Sequence, residues 1–191
     1  MNEPIKGEAI ILRPATIADR EAIFQWLTNS DLTSWMLGAP NFPDNPIPTW
    51  DEFMNDYKEY FFDGSQPYLG RSFIIEADNE AVGQVNHDRV NPDDNSTELD
   101  IWLSEKKYTS KGYGTDALLT ICDHLHKNIG CTKFIIAPSK RNIWAVKSYL
   151  KAGFQPTDEQ PSDFSPDYRD TVIMIKNMIH KKTVVANGWF I

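Results

Sequence analysis

Cysteine is scarce: Cys122 and Cys131 are the only two in 191 residues, at no metal-binding spacing and too few for a disulfide framework. No run of about 18 apolar residues occurs, so no membrane span is predicted. The start, Met1 to Glu8, lacks a basic patch followed by an apolar stretch and does not read as a secretory signal. A reducing cytoplasm is the expected address. Internal repeats and low-complexity tracts are missing too. Positive charge is short: 19 Lys and Arg stand against 27 Asp and Glu, for a net −8. A nucleic-acid partner, which needs a basic surface, is therefore not expected. The length suits one domain with a real core and is short for two.

What charge there is lies unevenly along the chain. Residues 1–103 carry six Lys or Arg against nineteen Asp or Glu, net −13. Residues 104–153 carry nine against three, net +6, and residues 154–191 come out at −1. Such a split fits an anionic ligand on the basic block and a cationic one on the acidic remainder, although solvated surface gives the same count.

Periodicity and turn signals predict a strand over Ala9–Arg13 ended by Pro14, and a helix through Thr28 burying Ala22, Ile23, Trp26 and Leu27. The Pro40–Pro48 stretch reads as loop. Thr49 and Glu52 form a capping box for a second helix to about Phe61. Strands are expected over Ser72–Ala77 and Ala81–Arg89 around a turn at Asp78-Asn79, then over Thr97–Ser104. A helix follows from Tyr113 to about Asn128 with Ala117, Leu118, Ile121, Cys122 and Leu125 on its buried face and His124 and His126 at the surface. Lys133–Ala137 reads as strand, Ile143–Ala152 as helix and Thr171–Asn177 as a late strand. Between them, 154–170 reads as loop around a short strand, with Pro156, Pro161 and Pro166 excluding long helices. The apolar tail, Lys181 to Ile191, suits a sheet edge or a second subunit.

Two linked motifs carry the chemistry. Lys111-Gly112-Tyr113-Gly114-Thr115 opens a helix, where unpaired amides and the positive end of the helix dipole make an anion site. About thirty residues on, Asn142 stands at a helix start, Tyr149 two turns later, and Gly153-Phe154 ends the helix and begins an apolar stretch. Taken singly, the glycines read as a tight turn, Asn142 as an N-cap and Tyr149 as a packed aromatic. Together they resemble the coenzyme A site of the GNAT acetyltransferase superfamily. The loop pattern there is Gln/Arg-x-x-Gly-x-Gly/Ala; Thr109 stands at the first position here, which removes a side chain but none of the amides.

The resemblance covers 97–154 by motif and nearly everything to about 178 by element order. It implies an α/β GNAT fold: one domain with a mixed sheet of six to seven strands and about four helices. An acceptor lid at about 26–65, an acetyl-coenzyme A site at about 99–154 and an unassigned tail at 180–191 go with it. It implies acetyl-coenzyme A as co-substrate, with no metal, held by Ile101, Trp102, Leu103, Thr109, Lys111, Gly112, Tyr113, Gly114, Thr115, Asn142, Ala145, Lys147 and Tyr149. Tyr149 would protonate the leaving thiolate.

On the acceptor side, Glu98, Asp100 and Trp102 share one face of a strand. Asp100, twelve positions before Gly112, resembles the catalytic aspartate of aminoglycoside 6′-N-acetyltransferases. Glu98 is similar to the strand glutamate of ribosomal-protein and polyamine acetyltransferases. Either could be the base, and exposed carboxylates on a strand would look the same. The run from Trp26 to Trp35 is similar to the helix end and aromatic lid of the aminoglycoside enzymes. Trp35, Asp100, Gln84 and Asn86 are therefore the expected acceptor contacts. The implied reaction is acetyl transfer to a primary amine of a small cationic acceptor, plausibly an aminoglycoside. The alternatives are a polyamine or ribosomal-protein N-terminus, or a non-catalytic coenzyme A sensor. Monomer and homodimer stay open.

Overall fold

The computed structural model describes residues 3–161 and 164–178. Its elements run Ile5–Lys6 (β1), Ile11–Pro14 (β2), Arg20–Thr28 (α1), Trp50–Asp56 (α2), Tyr60–Asp63 (α3), Arg71–Ala77 (β3), Glu80–His87 (β4) and Ser96–Leu103 (β5). They continue with Tyr113–Ile129 (α4), Lys133–Ile136 (β6), Ile143–Lys151 (α5), Gln155–Pro156 (β7) and Met174–Asn177 (β8). The strands form one mixed sheet in the order β1-β2-β3-β4-β5-β6-β8-β7. The fold is the expected α/β one. Eight strands and five helices exceed the expected counts because two-residue strands close each edge and one helix is split.

That split has a visible cause. Thr49 and Glu52 do form the capping box that starts α2. The helix stops at Tyr57, whose φ of −91° and ψ of 75° leave the helical region. The Tyr57 ring meets Trp102 edge-on at 6.1 Å and its hydroxyl donates to Asn86 Oδ1 at 3.2 Å, so tertiary contact overrides helical continuation. Pro14, expected to stop its strand, is instead the strand's last residue, paired with Phe73. The Asp78-Asn79 turn has φ of 52° and 65°, the positive pair a tight hairpin needs.

One sheet face carries α4, whose Ala117, Leu118, Ile121, Cys122 and Leu125 are all buried as their spacing requires. The other face packs Ile23 of α1 and Phe53, Phe61 and Phe62 of α2 and α3 around Ile74 and Trp102. Each such side chain contributes roughly 1.5–3 kcal/mol by leaving water. His124 and His126 are half-buried, not at the surface: His124 lies edge-on to Phe73 and His126 Nδ1 meets the Cys131 carbonyl. No described helix is long and apolar enough to cross a membrane. The tail beyond 178 lies outside the described residues.

The sheet has one feature on which the site depends. β5 and β6 run parallel but pair only over Ser96–Glu98 against Lys133–Ile135. Beyond Glu98, β5 stays hydrogen-bonded to β4 alone. The edge of β5 from Leu99 to Leu103 therefore faces a gap.

Candidate active site

A cavity of about 910 Å³ fills that gap. Glu98 to Leu103 of β5, Ile136 to Ser139 after β6, the glycine loop and α5 all line it. Every residue expected to hold the co-substrate lies on this cavity except Lys111. The Lys111 ammonium sits over the rings of Tyr108 and Tyr113 instead, at 5.7 and 5.9 Å.

At the cavity's basic side the chain turns into α4 through Ser110 (φ 60°) and Gly112 (φ 90°). A positive φ at Gly112 strains any residue with a Cβ, which is why glycine stands there. The first-turn amides of α4, from Tyr113 onward, have no intrahelical acceptor and line the cavity. Lys106, Lys147 and Lys151 add positive charge nearby. Asn142 caps α5, its Oδ1 accepting from the Ala145 amide at 3.1 Å, so the capping reading is fulfilled while the residue also lines the cavity. Thr115 and Ser148 hydroxyls meet at 3.0 Å and tie α4 to α5. This cradle of amides, lysines and a slot between strands suits a long anionic thioester carrying phosphates.

Tyr149 is buried on the same cavity, and its burial, with Asp100 next in effect, pushes the phenol well above its usual pKa. It stays protonated throughout the neutral range.

The opposite side is acidic. Asp56, Glu98, Asp100 and Asp167 all line the cavity. Burial pushes Glu98 up to about 9, with the Asp100 charge adding to it. Asp100 and Asp88 shift upward together, mainly by burial; Asp100 also feels Asp88 and Asp167. Burial and the Asp56 charge raise Asp167. None of these five carboxylates forms an ion pair with Lys or Arg among the described residues.

Gln84 and Asn86 do not line the cavity. They sit on β4 opposite Trp102 and Asp100, at 0% and 1% exposure. Gln84 Nε2 donates to Asn86 Oδ1 at 3.1 Å, and Asn86 Nδ2 donates to Asp88 at 3.3 Å. They stand behind the carboxylates. Trp35 lines the cavity, with the Lys106 ammonium 5.2 Å from its ring.

Among the lining residues that escaped sequence reading are Tyr57, Asp167 and Tyr168. Tyr57 looked like one more position in a helix, and the other two lie in a proline-bounded loop without a motif. Among the described residues, no group of three or more His, Cys, Asp or Glu is arranged to hold a metal ion.

Comparison with known proteins agrees with this geometry. Residues 9–155 match the family model described as an acetyltransferase (GNAT) domain. The spermidine N(1)-acetyltransferase of Escherichia coli (strain K12) is 24% identical over 170 residues, covering 88% of this chain and 86% of that protein. Among solved structures, AAC(6′)-Ib in complex with paromomycin and acetyl-coenzyme A aligns with a TM-score of 0.66 at 22% identity. That match covers 89% of this chain and 94% of the other. Spermidine N-acetyltransferase from Vibrio cholerae, in complex with coenzyme A and spermine, aligns at 0.67 and 18% identity, covering 88% and 95%. A ribosomal L7/L12 α-N-protein acetyltransferase in complex with coenzyme A aligns at 0.70 and 17%, covering 92% and 98%. With its sheet opened beside β5, a glycine-turned helix start facing the gap, and a family model matched over most of its length, the chain belongs to the GNAT acetyltransferases.

Proposed function

We infer that this chain moves an acetyl group from acetyl-coenzyme A to a primary amine of a small polycation, with an aminoglycoside as the leading class. The observation that carries this reading is the set of cavity carboxylates without cationic partners, of which Glu98 and Asp100 are partly buried. Carboxylates left so are costly, and a cation entering the cavity relieves that cost. They come from α2, β5 and the 164–171 segment, so charge surrounds the pocket on several sides. A rigid branched polyamine directs its ammonium groups in several directions and matches that arrangement.

In this reading the glycine-loop amides and first turn of α4 hold the diphosphate, and the free edge of β5 runs beside the pantetheine arm. The acceptor ammonium first gives up a proton. An alkyl ammonium titrates near ~10, so Glu98, raised toward that range and ionised beside the bound ammonium, takes that proton at little cost, where an ordinary carboxylate near ~4 is a poor base. Asp100 shares the same environment and is the second candidate. The neutral nitrogen then attacks the acetyl carbonyl, the C–N bond forms and the C–S bond breaks. Tyr149 gives its phenolic proton to the departing sulfur and regains one from the nitrogen, which loses its second proton as the amide forms. The products are the amide, the free thiol and one proton. Gln84 and Asn86 act from behind, fixing Asp88 and the β5 carboxylates instead of touching the acceptor.

A second reading, polyamine acetylation, is favoured by the likeness to the E. coli spermidine enzyme. A thiol-release screen with acetyl-coenzyme A and kanamycin-type antibiotics, spermidine, spermine and ribosomal-protein N-terminal peptides separates the two. Turnover on aminoglycosides is expected. Efficient turnover on spermidine or the peptides, with none on aminoglycosides, overturns the leading reading.

A further inference from the structure

One arginine outside the main cavity joins three of its walls. Arg141 directly precedes the Asn142 cap. Its Nε donates to both Asp170 oxygens at 3.2 Å and to Ser139 Oγ at 3.1 Å. One terminal nitrogen donates to Asp44 at 3.0 and 2.9 Å and to Asp170 at 2.9 Å, and the other donates to the Asn41 carbonyl. The guanidinium face lies 4.5 Å from the Phe42 ring, and Phe42 meets Tyr168 edge-on at 5.6 Å. Asp44 closes the circuit by accepting from the Arg169 amide at 2.9 Å. A planar fork with several fixed donors suits this junction in a way a lysine ammonium cannot.

The three segments so joined each supply cavity wall. The loop of residues 38–48 contributes Asn45 and Pro46, the turn before α5 contributes Ser139 and Asn142, and the 164–171 segment contributes Asp167 and Tyr168. None of the three is held to another by continuous strand pairing; the backbone link between the last two is an isolated bridge, Ser139 to Thr171. The first and third loops meet through Asp44, Arg141 and Phe42.

We propose that Arg141 is the positioning residue of the acceptor pocket. It holds the 38–48 loop and the 164–171 segment as one wall and fixes Asp167 and Tyr168 across from Glu98 and Asp100. Through Asn142 it registers that wall against the helix that carries Tyr149. Acceptor recognition should depend on it more than co-substrate binding does, because the glycine loop and α4 lie outside the junction. The proposal rests on the amine-acceptor reading above.

The test is steady-state kinetics on Arg141→Gln, Arg141→Lys and Asp44→Asn, using the best acceptor found for the native chain. Arg141→Gln should raise acceptor KM about tenfold or more, the scale that a misplaced positioning element costs. The acetyl-coenzyme A KM should stay within about twofold, because the glycine loop and α4 lie outside the junction and only Asn142 adjoins it. Arg141→Lys should restore little. Asp44→Asn, which keeps the bridge to Asp170, should fall in between and remains informative should Arg141→Gln fail to fold. The Arg141→Gln/Asp44→Asn double variant should be no worse than Arg141→Gln, because both remove one junction. An unchanged acceptor KM in the folded variants overturns the proposal, as does a parallel rise in acetyl-coenzyme A KM. If the native chain acetylates no amine, the amine-acceptor reading fails, and amide hydrogen exchange tests the junction separately. Residues 38–45 and 164–171 should then exchange faster together in Arg141→Gln while α4 does not; unchanged protection sinks the clamp.

Discussion

Tyr149 and Glu98 are moved in the same direction by the same cause, and the consequences differ. Burial removes both from water and disfavours their charged forms. A phenol so placed is a donor across the neutral range; a carboxyl so placed becomes a base matched to an amine. Tyr149→Phe keeps the ring and its packing and removes only the proton. Turnover should therefore fall about 10²-fold, the low end for a lost general acid, while acetyl-coenzyme A binding by calorimetry stays near native. Unchanged turnover would remove the hydroxyl from the reaction. The shared face of Glu98 and Asp100 was legible from strand alternation, and Tyr149 from the resemblance to the family's motif. Their altered acidity was not, since it comes from walls built by distant segments.

At the scale of elements, the end of β5–β6 pairing and the start of α4 together border the cavity to which we assign the co-substrate. The helix start was readable in the sequence from Gly112 and Gly114, and so was the capping box at Thr49. The early end of strand pairing was not, because nothing in Lys133–Ile136 marks where its neighbour leaves. The break at Tyr57 was hidden for a similar reason: a tyrosine is an acceptable helix residue, and partners distant in sequence, Asn86 and Trp102, draw it out of the helix. At Gly112 no atom lies within 4 Å of where a Cβ would stand, so the demand there is conformational and not spatial. Gly112→Ala should cost about 1 kcal/mol or more through its positive φ. It should raise acetyl-coenzyme A KM severalfold and leave acceptor KM nearly unchanged. Equal rises in both constants would show that the loop does more than seat the co-substrate.

For the whole molecule, the charge split along the chain becomes a split across one cavity, and it makes stability depend on pH. Glu98 has a folded pKa of about 9 against an ordinary 4.5, so its contribution is complete at low pH and is lost as pH rises toward 9. Asp100 and Asp88 act in the same sense. His87, buried and pushed down to about 4, runs the other way: it stabilises above about 6.5 and loses that contribution as pH falls toward 4. The window from pH 7 to 9 is therefore governed by the carboxylates. Without ligand, the melting temperature should drop by a few degrees across it, at about 2–4 °C per kcal/mol for a chain of this size. Glu98→Gln should flatten the drop and melt higher at pH 9, and a bound cationic acceptor should do likewise. A flat profile in the native chain would mean that the cavity carboxylates ionise freely.

Local pattern was enough to establish the α/β order, the buried face of α4, the glycine-turned anion cradle and the Asn142–Tyr149 helix. Each of these is encoded within a few consecutive turns of chain and needs no distant partner. The pocket proposed for the acceptor took shape only in three dimensions. Its carboxylates come from separate elements, and its outer wall hangs on an Arg141–Asp44 contact 97 positions apart in sequence. Burial and mutual repulsion among such groups exist only once the chain has closed around them.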